Sequence, residues 1–131
     1  MALVKAPGTQ FSIGLGGLGT NTYVLGDGSD GVVSTFAVQI HESTNGTCSF
    51  TVQGRSRVVP TGQTAPPFEP IPYLPLHLNG AVGTYGTGSS VALTTDSVIL
   101  IPATGLEIAL DVTYTDGQFD VYVTPMVGAA A

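Results

Sequence analysis

Every window of helical length in this chain is interrupted by glycine, proline or a β-branched run. That property removes helical bundles and helix-covered parallel sheets at once. Short alternating segments bounded by Gly, Asn, Asp and Pro recur instead, the pattern of a sandwich or barrel. The length of 131 residues suits one domain whose core needs neither metal nor disulfide. The expected fold is all-β, an antiparallel β-sandwich of jelly-roll type.

Two segments give a register. In 106–115 the apolar positions are Leu106, Ile108, Leu110, Val112 and Tyr114, and after Asp116-Gly117 they are Phe119, Val121 and Val123. A type I′ turn at Asp116-Gly117 predicts a hairpin pairing Tyr114 with Phe119, Val112 with Val121 and Leu110 with Val123. In 36–53, a loop of Thr44, Asn45 and Gly46 predicts a second hairpin, with Ile40 opposite Phe50 and Val38 opposite Val52. Gly46 would then be left-handed in a G1 bulge. Asn45-Gly46-Thr47 also fits the glycosylation sequon, but the turn reading accounts for it.

Shorter strands are expected at 22–26, 58–59, 73–78, 81–85, 91–93 and 98–101. Residues 60–75 hold six of the nine prolines and read as an extended connection, partly polyproline. Residues 1–31 hold eight glycines and read as an N-terminal arm preceding a sandwich domain over 32–131. The apolar residues of the arm (Leu3, Val4, Phe11, Ile13) and of the proline connection (Phe68, Ile71, Tyr73) lack an evident place in the sandwich. They are therefore the candidate partner contacts, and deletion of 1–13 is expected to leave the sandwich folded.

Charge narrows the function. Three cations (Lys5, Arg55, Arg57) stand against nine carboxylates, for a net charge of −6. Nucleic-acid binding and polybasic membrane contact both need clustered cations, so neither partner is expected. The apolar run 98–101 is far short of a membrane span. The first residues lack the long apolar stretch of a secretion signal, so the expected compartment is a reducing cytosol. Cys48, alternating inward with Phe50 and Val52, reads as a buried small hydrophobe.

Motifs with chemistry are few. Gly14-Leu-Gly-Gly-Leu-Gly19 matches GxGxxG, but a strand-like run follows it where a dinucleotide site needs a helix. Gly16 to Val24 resembles a single calcium-binding nonapeptide, a motif that works only when stacked. Asp27 and Asp30 form a tight acidic loop without the remaining ligands of an EF-hand, so it reads as a turn. His41 and His77 have no Cys or Glu partners at zinc-ligand spacing. Glu107, Asp111 and Asp120 would share the outward face of the last hairpin, a solvated face rather than a glycosidase cleft. No nucleophile–base pair is present at recognisable spacing. No enzyme and no cofactor is expected.

The run from Thr35 through Gly54, with its Val52-Gln53-Gly54 strand end, and the C-terminal run Leu106 to Thr124 together resemble small β-sandwich proteins of tailed-bacteriophage virions. The resemblance covers about a third of the chain. It departs where Arg55-Ser56-Arg57 follows Val-Gln-Gly and in the absence of tryptophan. It implies a capsid decoration or cement protein, made in the host cytoplasm and carried on the virion. Such a protein bridges major capsid subunits as a homo-oligomer, a trimer for preference, and gains strength from many copies. Alternative expectations are a tail, neck or fibre component, or a carbohydrate-binding or adhesin module.

Overall fold

The computed structural model describes residues 3–26, 33–78, 81–82, 93–94 and 96–127. Its regular elements are all strands: β1 (Leu3–Lys5), β2 (Gln10–Ile13), β3 (Asn21–Gly26), β4 (Val33–Thr44), β5 (Cys48–Ser56), β6 (Glu69–Pro70), β7 (Leu74–Leu78), β8 (Ala81–Val82), β9 (Ser97–Pro102), β10 (Leu106–Tyr114) and β11 (Gln118–Val127). They form two sheets packed into a sandwich. The first runs β1-β3-β10-β5-β6 and the second β2-β11-β4-β9-β7-β8. Among the described strands, β1 and β3 alone pair in parallel.

The alternating residues bury as their pattern demands. Phe36, Val38 and Ile40 of β4, Phe50 and Val52 of β5, Ile108, Leu110 and Val112 of β10, and Phe119, Val121 and Val123 of β11 all point into one core. Rings meet across the two layers: Phe50 and Phe119 stand edge to face at 5.9 Å, and Phe11 and Tyr23 lie tilted at 5.7 Å.

Both expected hairpins are corrected. β10 lies between β3 and β5 in the first sheet, while β11 lies between β2 and β4 in the second. Likewise β4 and β5 belong to different sheets. Apolar alternation states which face turns inward, and two strands satisfy it equally by lying side by side or by facing each other across the core. Here they face each other. Gly46 does not adopt positive φ, and Asp116 does not either, so neither the G1 bulge nor the type I′ turn forms.

The real pairings are β4 with β11 and β5 with β10. One ladder ends at Thr44↔Gln118 and the next begins at Cys48↔Tyr114. Residues 45–47 and 115–117 thus bridge the gap in equal number, and the register carries through. The four strands are one antiparallel ribbon bent from the second sheet into the first. At the bend the connections clasp each other. Thr47 N–H donates to Asp116 Oδ1 (2.6 Å) and to its carbonyl (3.1 Å), while Thr115 N–H donates to the Thr47 carbonyl at 2.9 Å. Glycine is required there: a Cβ on Gly46 would lie 2.3 Å from the Asp116 carbonyl oxygen, and one on Gly117 would lie 2.6 Å from Gly46 Cα.

The stretch expected to be an arm supplies β1, β2 and β3. Phe11 and Ile13 lie in the core, at 5% and 0% exposure, because β2 completes the second sheet beside β11. Deletion of residues 1–13 therefore removes core, contrary to the expectation that the sandwich would survive it. Residues 58–59 form no strand, and Val58 is exposed. The expected strands at 22–26, 73–78 and 98–101 are present as β3, β7 and β9, and β8 covers the first part of 81–85. Positions 83–85 and 91–92 lie outside the described residues.

Candidate functional site

The carboxylates expected to share a face do not. Glu107 and Asp111 sit on the outer face of the first sheet, Asp120 on that of the second, on opposite sides of the sandwich. Each is engaged. Glu107 Oε1 accepts from Arg55 Nε at 2.7 Å and lies 2.6 Å from Nη2. Asp111 accepts from the Thr22 hydroxyl at 2.9 Å. Asp120 accepts from the Ser12 hydroxyl at 2.7 Å and from Gln118 at 3.3 Å. The Ser12 hydroxyl holds the Asp120 carboxyl below its ordinary range, against a smaller opposing effect of burial.

His41 is exposed, with Nδ1 3.4 Å from Asp96, whose carboxylate also accepts the Glu42 N–H. His77 is half-buried on β7. Among the described residues no cluster of three or more His, Cys, Asp or Glu is arranged to hold a metal ion. Asp27 and Asp30 lie outside the described residues. Cys48 is buried, and burial pushes its thiol up to about 11, outweighing the lowering by the Ser49 backbone hydrogen bond. Gly14 to Gly17 form a tight loop between β2 and β3, with Leu18 N–H bonded back to the Ser12 carbonyl. No helix follows, which is the arrangement expected of a turn rather than a phosphate cradle.

The candidate partner contacts are not brought together. Leu3 is exposed, but Val4 of β1, beside β3, packs against the core. Phe11, Ile13 and Tyr73 are core residues, and Ile71 packs against that core. Phe68 lies under the Arg55 guanidinium, 4.1 Å from ring centroid to Cζ. Leu3 and Phe68 thus lie outside the core cluster, while Val4, Phe11, Ile13, Ile71 and Tyr73 do have places in the sandwich. The proline connection contributes two of them because Ile71 N–H bonds the Val52 carbonyl and draws the segment along β5.

Hollows open at the surface among the described residues. One of about 290 Å³, where the β1–β2 connection crosses between the sheets, is lined chiefly by Ala6, Leu25, Val33, Phe36, Val123 and Pro125. Another, of about 480 Å³ beside the bend, is lined by Glu42, Asn45, Cys48 and several hydroxyls, those of Ser49, Thr113 and Thr115 among them.

The two outer sheet faces differ in chemistry. The first presents Ser49, Thr51, Gln53 and Arg55 on β5 opposite Thr113, Asp111, Ala109 and Glu107 on β10. The second has three consecutive rows without a carboxylate, lysine or arginine. One row is Tyr122, Gln39, Val98 and His77; the next is Thr124, Ala37, Leu100 and Leu74; the third is Met126, Thr35 and Pro102. Tyr122 is 40% exposed, and Met126 and Leu76 are 48% exposed.

β9 explains the contrast. Its sequence Ser-Val-Ile-Leu-Ile-Pro is apolar on both sides, with Ile99 and Ile101 in the core and Val98 and Leu100 turned outward. A strand apolar on both sides is characteristic of a sheet covered on both faces. This surface is what the sequence reading missed. Its signal was the unbroken run 98–101 in a chain that otherwise alternates.

Comparison with protein-family models, curated proteins and solved structures found no match.

Proposed function

We propose that this chain is a non-catalytic structural protein of a virion, a decoration or cement protein that stands in the outer capsid shell and bridges its neighbours. The observation that carries the reading is the outer face of β7, β9 and β4, three rows without a carboxylate, lysine or arginine centred on Val98 and Leu100, set opposite a polar face bearing Arg55, Glu107 and Asp111. A slab with one such face is suited to a position in an assembly, the apolar side in contact and the polar side in water. The resemblance of residues 35–54 and 106–124 to phage virion sandwiches supplies the kind of assembly.

The physics is compatible. A rigid two-layer sandwich transmits load between neighbours without chemistry. Many identical copies turn weak individual contacts into firm attachment. The net charge of −6 disfavours adhesion to packaged nucleic acid.

The test is sedimentation of native particles from the source, with the copies of this chain counted per particle. Many copies on DNA-filled particles are expected. A few copies per particle would move the chain to the tail, neck or a fibre. Recovery only as free protein would overturn the virion reading.

A further inference from the structure

We infer that Asn45 is a self-modifying site, where the chain converts its own side-chain amide to a succinimide and then to isoaspartate, with Glu42 as the base. The reaction needs no partner and stands apart from the virion reading. Its groups meet at the bend of the ribbon.

First, electrophile and nucleophile are adjacent and open. The Asn45 side-chain carbonyl carbon and the Gly46 nitrogen can close a five-membered ring, and glycine puts no Cβ in the way. Asn45 is exposed, and among the described residues its side chain makes no hydrogen bond that would hold it back. Second, a base is placed. Glu42 Oε2 accepts the Gly46 N–H at 3.4 Å, the proton that must leave as the nitrogen attacks. Third, water reaches the site, because Glu42, Asn45, Gly46 and Thr47 line the hollow of about 480 Å³ beside the bend. The facing connection offers a similar pair in Asp116-Gly117, but that carboxylate is held: Asp116 Oδ1 accepts the Thr47 N–H at 2.6 Å. The bend therefore selects Asn45 over Asp116.

The steps balance. Gly46 N attacks Asn45 Cγ as its proton passes to Glu42; the Cγ–Nδ2 bond breaks, and the amide leaves as ammonia with that proton. Water then opens the ring. Addition at the Asn45 main-chain carbonyl gives isoaspartate, and addition at Cγ gives aspartate. Either product adds a negative charge to the chain's −6. Isoaspartate also lengthens the main chain by one carbon before Gly46, where there is no slack: a Cβ on Gly46 would lie 2.3 Å from the Asp116 carbonyl oxygen. The conversion therefore parts the clasp between Thr47 and Asp116.

The experiment incubates the purified full chain in warm neutral buffer and follows each site by peptide mapping. An amide that becomes an acid changes mass, and isoaspartate is marked by its specific enzymatic methylation. Asn79-Gly80, the same dipeptide, lies outside the described residues and serves as the reference within the chain. Asn45 is expected to convert no more slowly in the native chain than in the guanidinium-unfolded one, where Glu42 is no longer placed, while native Asp116 stays aspartate. Glu42→Gln keeps an acceptor oxygen but is no base. It is expected to slow Asn45 at least ~10-fold, with Asn79 unchanged and the native amide spectrum kept, since a placed base contributes roughly 10²–10⁴. Converted chain, separated by its added charge, is expected to unfold at lower urea than fresh chain. An Asn45 that converts more slowly folded than unfolded would overturn the site. So would a rate that Glu42→Gln leaves alone, or slows only together with that of Asn79.

Discussion

Replacing Gly117 by alanine tests the clasp at the bent ribbon. Gly117 sits at φ +84°, where an L side chain costs about 1–2 kcal/mol. The added Cβ would also lie 2.6 Å from Gly46 Cα, 2.7 Å from the Thr44 carbonyl oxygen and 2.8 Å from Gly46 N. All three are backbone atoms, so no side chain can rotate out of the way. The two connections must part, which weakens the hydrogen bonds from Thr47 to Asp116 and from Thr115 to Thr47. Each such bond contributes about 1 kcal/mol net. The expected cost is roughly 3–5 kcal/mol, the sum of backbone strain and the parted bonds. Gly105→Ala is the matched control, with φ +76° and nothing within 4 Å of its Cβ, so it bears the strain alone. Urea unfolding of both variants with linear extrapolation reads the difference, expected to be at least ~2 kcal/mol. Equal costs for the two would refute the clasp and return Gly117 to an ordinary open turn.

Three further outcomes are expected. Cys48 should react with iodoacetamide at pH 8 far more slowly in the native chain than in the urea-unfolded chain; equal rates would contradict its burial. Because the folded thiol keeps its proton up to about 11 and the unfolded one only to 9.0, stability holds below pH 9 and falls as pH rises toward 11, and Cys48→Ala should flatten that decline. Asp120 is depressed by the Ser12 hydroxyl, so its contribution is present at neutral pH and is lost as pH falls through the acid range; in Ser12→Ala its NMR titration midpoint should move up, and an unmoved midpoint would remove Ser12 as the cause. Arg55→Met breaks a half-buried pair with Glu107 and the stacking on Phe68, for an expected loss of about 1–3 kcal/mol with faster exchange of the Phe68 and Glu69 amides; unchanged exchange would mean that Arg55 does not hold the proline segment.

The inward faces of the long strands were legible because period-two alternation is a local property. Phe36, Val38, Ile40, Phe50, Val52, Leu110, Val112, Phe119 and Val121 all bury as their spacing predicts. Lateral pairing was not legible. Asn45-Gly46 and Asp116-Gly117 carry the residues of tight hairpins, but each connection is shaped by the other, with Thr47 bonded to Asp116 69 residues away. No local window contains that partner. Phe11 and Ile13 escaped for a related reason: a four-residue strand flanked by glycines has too little alternation to stand out. Gly14, which ends it, sits at φ +93° under Gly117 and the Tyr114 ring, a constraint that exists only once the sheets are assembled. The outer face of β9 was visible in residues 98–101 but needed the sheet order to show that one side of the run meets no core.

The position of β11 between β2 and β4 governs how the chain leaves the ribosome. β2 has its ladder with a strand made more than a hundred residues later, and β4 must wait for the same strand on one of its sides. Between β4 and β11 lies roughly 4–15 s of synthesis at ~5–20 residues per second. Throughout that interval Phe11, Ile13, Phe36, Val38 and Ile40 lack their final cover, and the apolar β9 emerges among them. Domain-by-domain settling from the N-terminus is closed to such a topology. The pairing of β2, and of one side of β4, waits until β11 has been made, so the interval before β11 emerges is when these apolar strands most need protection from aggregation.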